Sequence, residues 1–349
     1  MSDLLRTRKD HHIDIVLEQP VASHAPALAF GRYTVEYDSL PEVDLDEVDL
    51  SCTLLGRRLR APLVIGAMTG GTDRTAEINR TLARAAARVG VGMALGSQRP
   101  MIVHPEATAS FAVRDAAPDL PLLIGNVGAV QLNYGVTVAD LQRIVRDVAA
   151  DALNFHLNPL QEAIQPEGDT RFRGLHSKLA EVMPEVGVPC VIKEVGAGIG
   201  PKAADKIASL PCAAVEVAGT GGTSWAAVES HRAEGDDLRA FVGQRLAGFG
   251  VPTIESLRVV RARLGNRPII ASGGLRTGMD AAVCLAEGAA AVAMAKPFLE
   301  AAMVSEDAVV TALEQVILEL KVICFCAGAA NLSALRKCRV IDARRGVEG

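Results

Sequence analysis

From Ala61 onward, short apolar runs alternate with longer stretches in which apolar positions recur every three or four residues. The first pattern predicts buried strands and the second predicts covering helices, so together they read as repeated βα units. Strands are expected at Leu63–Ala67, Val91–Leu95, Leu122–Gly125, Ala152–Leu157, Cys190–Glu194, Ala213–Val217, Ile269–Ala271 and Ala290–Met294. Most are closely followed by Gly, Asn or polar residues: GAMTGG, GSQR, GNVG, HLNPLQE, KEVGAG, AGTGG, SGG and AK. Eight parallel strands with polar residues at their carboxyl ends describe a (β/α)8 TIM barrel whose site lies on that face. Thr137-x-x-Asp140 and Thr277-x-x-Asp280 fit capping boxes at helix starts. Residues 1–60 form an N-terminal extension with an acidic run, PEVDLDEVD, and 61–349 form the barrel. The acidic run suits a surface cover over the closed end. Gly219–Gly250 is a long insertion after the sixth strand, and long loops in compact domains are usually functional or mobile.

Composition narrows the class. Of 349 residues, 49% are hydrophobic and 22% charged, which excludes general disorder. A net charge of −5 argues against nucleic acid as a partner, although a pocket can still be locally basic. No apolar stretch is long enough to span a bilayer, and MSDLLRTRKDHHID lacks the apolar region of a signal peptide. A cytoplasmic location is therefore expected. The seven cysteines include no CxxC pair, so they read as free thiols.

The strand ends carry the chemistry. Ser272-Gly273-Gly274-Leu275-Arg276 opens a helix after the seventh strand, and Ala295-Lys296 follows the eighth. Gly-rich turns and helix N-termini offer backbone N–H groups to an anion, and barrels commonly seat phosphate there. Ala67-Met68-Thr69-Gly70-Gly71, Gly96-Ser97-Gln98-Arg99 and Gly125-Asn126 supply small residues and amides suited to a flat ring. Lys193, alone in an apolar strand, needs an anionic partner. A reduced flavin edge would serve, and so would Glu194 or Glu216. Alternation, however, forbids Lys193 and Glu194 from both pointing inward. On the fourth strand Asn154, His156 and Asn158 share one face, and Pro159 ends the strand below Gln161 and Glu162. A single carboxylate such as Glu162, with phosphate oxygens, can hold Mg2+. Arg8-Lys9-Asp10-His11-His12 is a basic cluster suited to a second phosphate group.

Together these residues resemble the type 2 isopentenyl-diphosphate isomerases, from about Arg8 to the C-terminal helices. The ordered motifs are RKxxH (Arg8, Lys9, His12), MTGG, GSxR, Asn126, HxNxxQE (His156 to Glu162), KEVG, GGTSW and SGG. The resemblance implies FMN contacts at Ala67, Met68, Thr69, Ser97, Asn126, Lys193, Thr223, Gly273, Gly274, Leu275, Ala295 and Lys296. It implies diphosphate contacts at Arg8, Lys9, Ser97, Gln98 and Arg99. Gln161, His156, Asn158 and His12 would be the catalytic residues that surround the substrate, Gln161 also binding it, and Glu162 would hold Mg2+. Reduced FMN, generated with NADPH, and a homotetramer or homo-octamer are further implications.

An unactivated alkene is a poor base, so ordinary side-chain acids match it badly, and acid–base chemistry of the reduced flavin is expected instead. The nearest alternative is an FMN-dependent 2-hydroxy-acid oxidase, which would want a histidine near strands six to eight, where none is seen. A purine-nucleotide dehydrogenase would need a cysteine after strand six, and Gly219–Trp225 holds none. A flavin- or phosphate-binding barrel without catalysis is the third alternative.

Overall fold

The computed structural model describes residues 3–23, 30–232 and 238–342, with the backbone alone at residues 3–8 and 30. Eight parallel strands close into a barrel in chain order: β1 (Leu63–Ile65), β2 (Gly92–Ala94), β3 (Leu122–Gly128), β4 (Ala152–Leu157), β5 (Cys190–Glu194), β6 (Ala214–Glu216), β7 (Ile269–Ser272) and β8 (Ala291–Met294). Val292 to Met294 pair with Leu63 to Ile65 and complete the ring. Every expected strand is present. β4 and β5 have the expected limits, because Pro159 and the Gly196 turn end them sharply. β3 runs on to Gly128, since Asn126 and Val127 keep their pairing with β4.

Inward positions alternate with outward ones. Val64, Ala94, Leu122, Ile124, Ala152, Ile270, Ala291 and Ala293 fill the barrel, and Leu54 and Leu59 join them from below. Those two leucines sit on an antiparallel hairpin, Cys52–Leu54 with Arg57–Leu59, that stops the amino-terminal end of the barrel. Each is almost fully buried, a gain of about 1.5–3 kcal/mol per side chain. Outward residues such as Phe155, Ile192 and Val215 pack under the helices.

Four helices surround the open end of the barrel near β4 and β6: α1 (Asp3–Glu18), α2 (Pro159–Ile164), α3 (Trp225–Arg232) and α4 (Leu238–Arg245). α1 packs against α3, so the chain's basic start meets the insertion after β6. The adjoining segment seals this meeting. Ser23 N donates to Gly222 O, and Ser224 N donates to Val21 O, both at 2.8 Å. The acidic run leads along the C-terminal segment, where Asp49 N donates to Ala330 O at 2.9 Å. Farther out, Tyr33–Val35 pairs antiparallel with Val340–Asp342. Both expected capping boxes form. Thr277 Oγ1 accepts from Asp280 N while Asp280 Oδ2 accepts from Thr277 N, and Thr137 and Asp140 do the same.

Candidate active site

Two adjoining cavities open at the carboxyl ends of the strands. The first encloses about 890 Å³ including its mouth and is lined by Ala67, Met68, Thr69, Thr223, Gly273, Gly274, Leu275, Ala295 and Lys296. The second is more polar and is lined by Lys9, Ser97, Arg99, Asn126, His156, Asn158, Gln161 and Glu162. His12, Ala67, Met68, Lys193, Val195 and Trp225 line both, so the two spaces share a wall.

The first cavity suits a phosphorylated flat ring. The turns after β6 and β7 approach so closely that side chains are excluded. A Cβ on Gly274, where φ is +87°, would lie 2.5 Å from the Gly221 backbone, and one on Gly222 would lie 2.6 Å from Gly274 N. Only glycine allows this packing, which leaves the backbone N–H groups of the turns uncovered by side chains. Arg276 and Lys296 bring positive charge to the same end. Thr69 Oγ1 is buried there without a hydrogen-bond partner in the protein. The donor set therefore fits FMN.

Lys193 stands at the centre. Its Nζ donates to Glu216 Oε1 and to Glu194 O, each at 2.8 Å. Glu216 Oε1 also accepts from Ser272 Oγ at 2.8 Å. Of the two carboxylates open to Lys193 from sequence, Glu216 is its partner, and Lys193 still faces both cavities. Glu194 instead turns away, and its Oε2 accepts the N–H groups of Val195, Gly196, Ala197 and Gly198 at 2.6–3.0 Å. Burial pushes its pKa up to about 7, against the pull of those four donors. The carboxylate thus fixes the turn that places Val195 against both cavities.

On β4 the inward face is Asn154 and His156, and Asn158 just beyond the strand continues it, as alternation requires. His156 Nδ1 lies 2.9 Å from Asn126 Oδ1, so Nδ1 carries the proton and Nε2 presents a lone pair. Burial, then the Lys193 and Lys9 charges, lowers its pKa to about 3, which keeps the ring neutral. Asn158 precedes α2 and donates from Nδ2 to Gln161 Oε1 at 3.1 Å and Glu162 Oε1 at 2.9 Å. Gln161 Nε2 then donates to Glu229 Oε1 at 2.8 Å. Asn154 lies deeper and lines neither cavity.

Glu229 was not legible as a site residue. It sits fully buried on α3, beside His12 Nε2 at 3.2 Å and in an ion pair with Arg232. Burial opposes its ionisation, but His12, Arg232 and Gln161 outweigh burial and hold it below the usual carboxylate range. His12 is itself pushed down to about 4, chiefly by burial, and its ring meets Trp225 edge-on with centroids 5.3 Å apart. The one available signal was an acidic residue directly after the small, apolar run Ala226-Ala227-Val228. Trp225 was likewise missed as a lining residue.

Glu162 Oε1 accepts from Asn158 and its Oε2 accepts from Asp169 N at 2.6 Å. Each oxygen keeps a lone pair that could meet a cation. Burial raises its pKa. Among the described residues no group of three His, Cys, Asp or Glu gathers that could hold a metal unaided. A single carboxylate completed by phosphate oxygens fits such a place.

Three expectations need correction or restriction. Gln98 lines neither cavity: its side chain is buried, with Oε1 accepting from Asn126 N at 2.9 Å and Nε2 donating to Ile144 O at 3.2 Å. It braces β3, and Ser97 and Arg99 on either side of it face the second cavity. Ser97 and Asn126, expected at the flavin, line that second cavity rather than the first. Arg8 lies on α1 with its side chain outside the described residues.

A closed (β/α)8 barrel with a glycine-built turn beside a polar cavity fits the class of FMN-dependent barrel enzymes. A family model described as FMN-dependent dehydrogenase matches residues 143–342. The chain is 46% identical over 333 residues to an isopentenyl-diphosphate delta-isomerase of Synechococcus sp., covering 95% of each protein. It is 49% identical over 332 residues to the protein of that name from Mycolicibacterium vanbaalenii, again covering 95% of each. Among solved structures, a lactate oxidase from Pediococcus acidilactici shares the fold with a TM-score of 0.69 at 16% identity, over 97% of this chain and 94% of that one. The chain belongs to the isopentenyl-diphosphate delta-isomerase family.

Proposed function

We propose that the protein interconverts isopentenyl and dimethylallyl diphosphate in the cytoplasm, using reduced FMN, Mg2+ and NADPH as the source of reducing equivalents. The observation that carries this reading is the shared wall of the two cavities. Met68, Lys193 and Trp225 line both the cavity with the glycine turns and the cavity lined by Gln161, Glu162, His156 and Asn158. When bound, reduced FMN supplies the acid–base group and electron-rich face that an unactivated alkene requires.

The chain's own residues do the rest. Ala67, Met68, Thr69, Lys193, Thr223, Gly273, Gly274, Leu275, Ala295 and Lys296 hold the cofactor, with Ser97 and Asn126 reaching it from the neighbouring cavity. Lys9, Arg99 and Ser97 grip the diphosphate, and Glu162 holds Mg2+ against it. Gln161 is held by Asn158 on one side and Glu229 on the other, and it lines the second cavity. That amide can steady a proton near the reacting carbons. Neutral His156, Asn158 and His12 complete the wall, while Trp225 and α1 exclude water. The exposed apolar face of α4, with Leu238, Phe241 and Val242 at positions i, i+3 and i+4, supports assembly into a homotetramer or homo-octamer.

Anaerobic incubation with isopentenyl diphosphate, FMN, Mg2+ and a limiting amount of NADPH tests this reading. Many product molecules per NADPH are expected. One NADPH consumed per product, or full activity with oxidised FMN, overturns it. The alternative, oxidation of a 2-hydroxy acid, draws on the fold shared with the lactate oxidase, and peroxide formation from lactate would favour it.

A further inference from the structure

Asp169 lines neither cavity, yet it touches residues that line the second from three sides. Its Oδ2 pairs with Arg99 Nη1 at 2.7 Å and accepts from Gln131 Nε2 at 2.8 Å. Its backbone N–H donates to Glu162 Oε2 at 2.6 Å. The loop reaches Glu162 because residue 168 is glycine, where a Cβ would fall 1.8 Å from Glu162 O. Asp169 is buried, and Gln131 keeps its carboxylate in place.

We propose that Asp169 is a positioning residue that couples diphosphate recognition at Arg99 to metal binding at Glu162. This rests on the roles proposed above for Arg99 and Glu162. An arginine at the edge of a cavity samples many rotamers, and a buried carboxylate partner selects one of them. The same residue's amide fixes the Glu162 oxygen it donates to, so one rigid residue orients both the cationic arm and the metal-binding carboxylate. A ligand that draws Arg99 inward acts on the unit that aims Glu162, and a metal at Glu162 acts in reverse. Such coupling is reciprocal. Asp169 also places a second negative charge behind Arg99. An anion approaching without a divalent cation therefore meets a guanidinium already neutralised.

The test is calorimetric binding of inorganic diphosphate to the FMN-loaded protein, with and without Mg2+. It is run on the wild type, Asp169→Asn and Asp169→Glu. The quantity read is the factor by which Mg2+ strengthens binding. Asp169→Asn keeps an acceptor for Gln131 and the amide to Glu162 but loses the charge on Arg99, so this factor should fall about tenfold or more. Asp169→Glu restores the charge and should recover much of it. FMN content and kcat at saturating substrate and Mg2+ should stay within about twofold of wild type for both. An unchanged Mg2+ factor in Asp169→Asn overturns the proposal. So does equal loss in both variants accompanied by loss of FMN, which marks a purely structural role. Should the wild type itself fail to bind diphosphate in either condition, the roles assigned to Arg99 and Glu162 fail, and this inference with them.

Discussion

Gln161 Nε2 donates to Glu229 Oε1 at 2.8 Å, tying the short helix after β4 to the helix that follows β6. The bond separates Gln161 from its neighbour Glu162, whose two oxygens are engaged by Asn158 and Asp169. Gln161→Ala should therefore lower kcat by about 10²-fold, with no rescue by Mg2+. Glu162→Gln keeps the shape and loses the charge, so its Mg2+ requirement should rise about tenfold or more while kcat partly returns at high Mg2+. Turnover across a Mg2+ titration distinguishes them. Rescue of Gln161→Ala by metal would mean the two roles are reversed.

Gly274→Val should cost about hundredfold or more in FMN affinity. The residue has φ +87° and no room for a Cβ beside Gly221, so any side chain must push apart the turns proposed to hold the cofactor phosphate. Fluorescence titration of the apoprotein with FMN reads this directly. Unchanged affinity would remove the phosphate from this turn.

Lys193→Met should destabilise the protein by about 3–5 kcal/mol, because Glu216 is left as a buried charge without its cation. Adding Glu216→Gln should recover more than half of the loss. Denaturant midpoints for the two single variants and the double variant give the coupling, and strict additivity would contradict the ion pair's importance.

Acid should weaken the fold through two histidines. The pKa of His156 is lowered to about 3 and that of His12 to about 4, both primarily by burial. Between the ordinary value of 6.5 and those lowered values, the unfolded chain binds protons that the folded protein refuses. Their contribution is present above 6.5 and is lost as pH falls below it, by up to about 1.4 kcal/mol per pH unit for each ring. The His12→Gln/His156→Gln double variant should flatten the stability profile between pH 6 and about 4.5. A profile as steep as wild type would show that these rings take up protons in the folded state.

The barrel was legible because its strands are near-continuous apolar runs ended by glycine or proline, and β4 and β5 could be bounded to the residue. The inward face of β4 followed from alternation alone. Gln98 could have been separated by the same logic, since it alternates with Ser97 and Arg99, but the turn after β2 masked the period. Glu216 was visible only as one of two possible partners for Lys193, because pairing across β5 and β6 is settled by register in space. Glu229 and Asp169 were hidden for a different reason. Each sits in a segment whose own pattern is ordinary, and each matters through partners brought close by the closing of the barrel.

The hairpin that carries Leu54 and Leu59 plugs the amino-terminal end of a barrel whose interior is filled by side chains, so both cavities lie at the carboxyl ends of the strands. His12, Ala67, Met68, Lys193, Val195 and Trp225 serve both cavities at once. A guest in either seat meets a wall that its neighbour also touches, so occupancy of one should be felt in the affinity of the other.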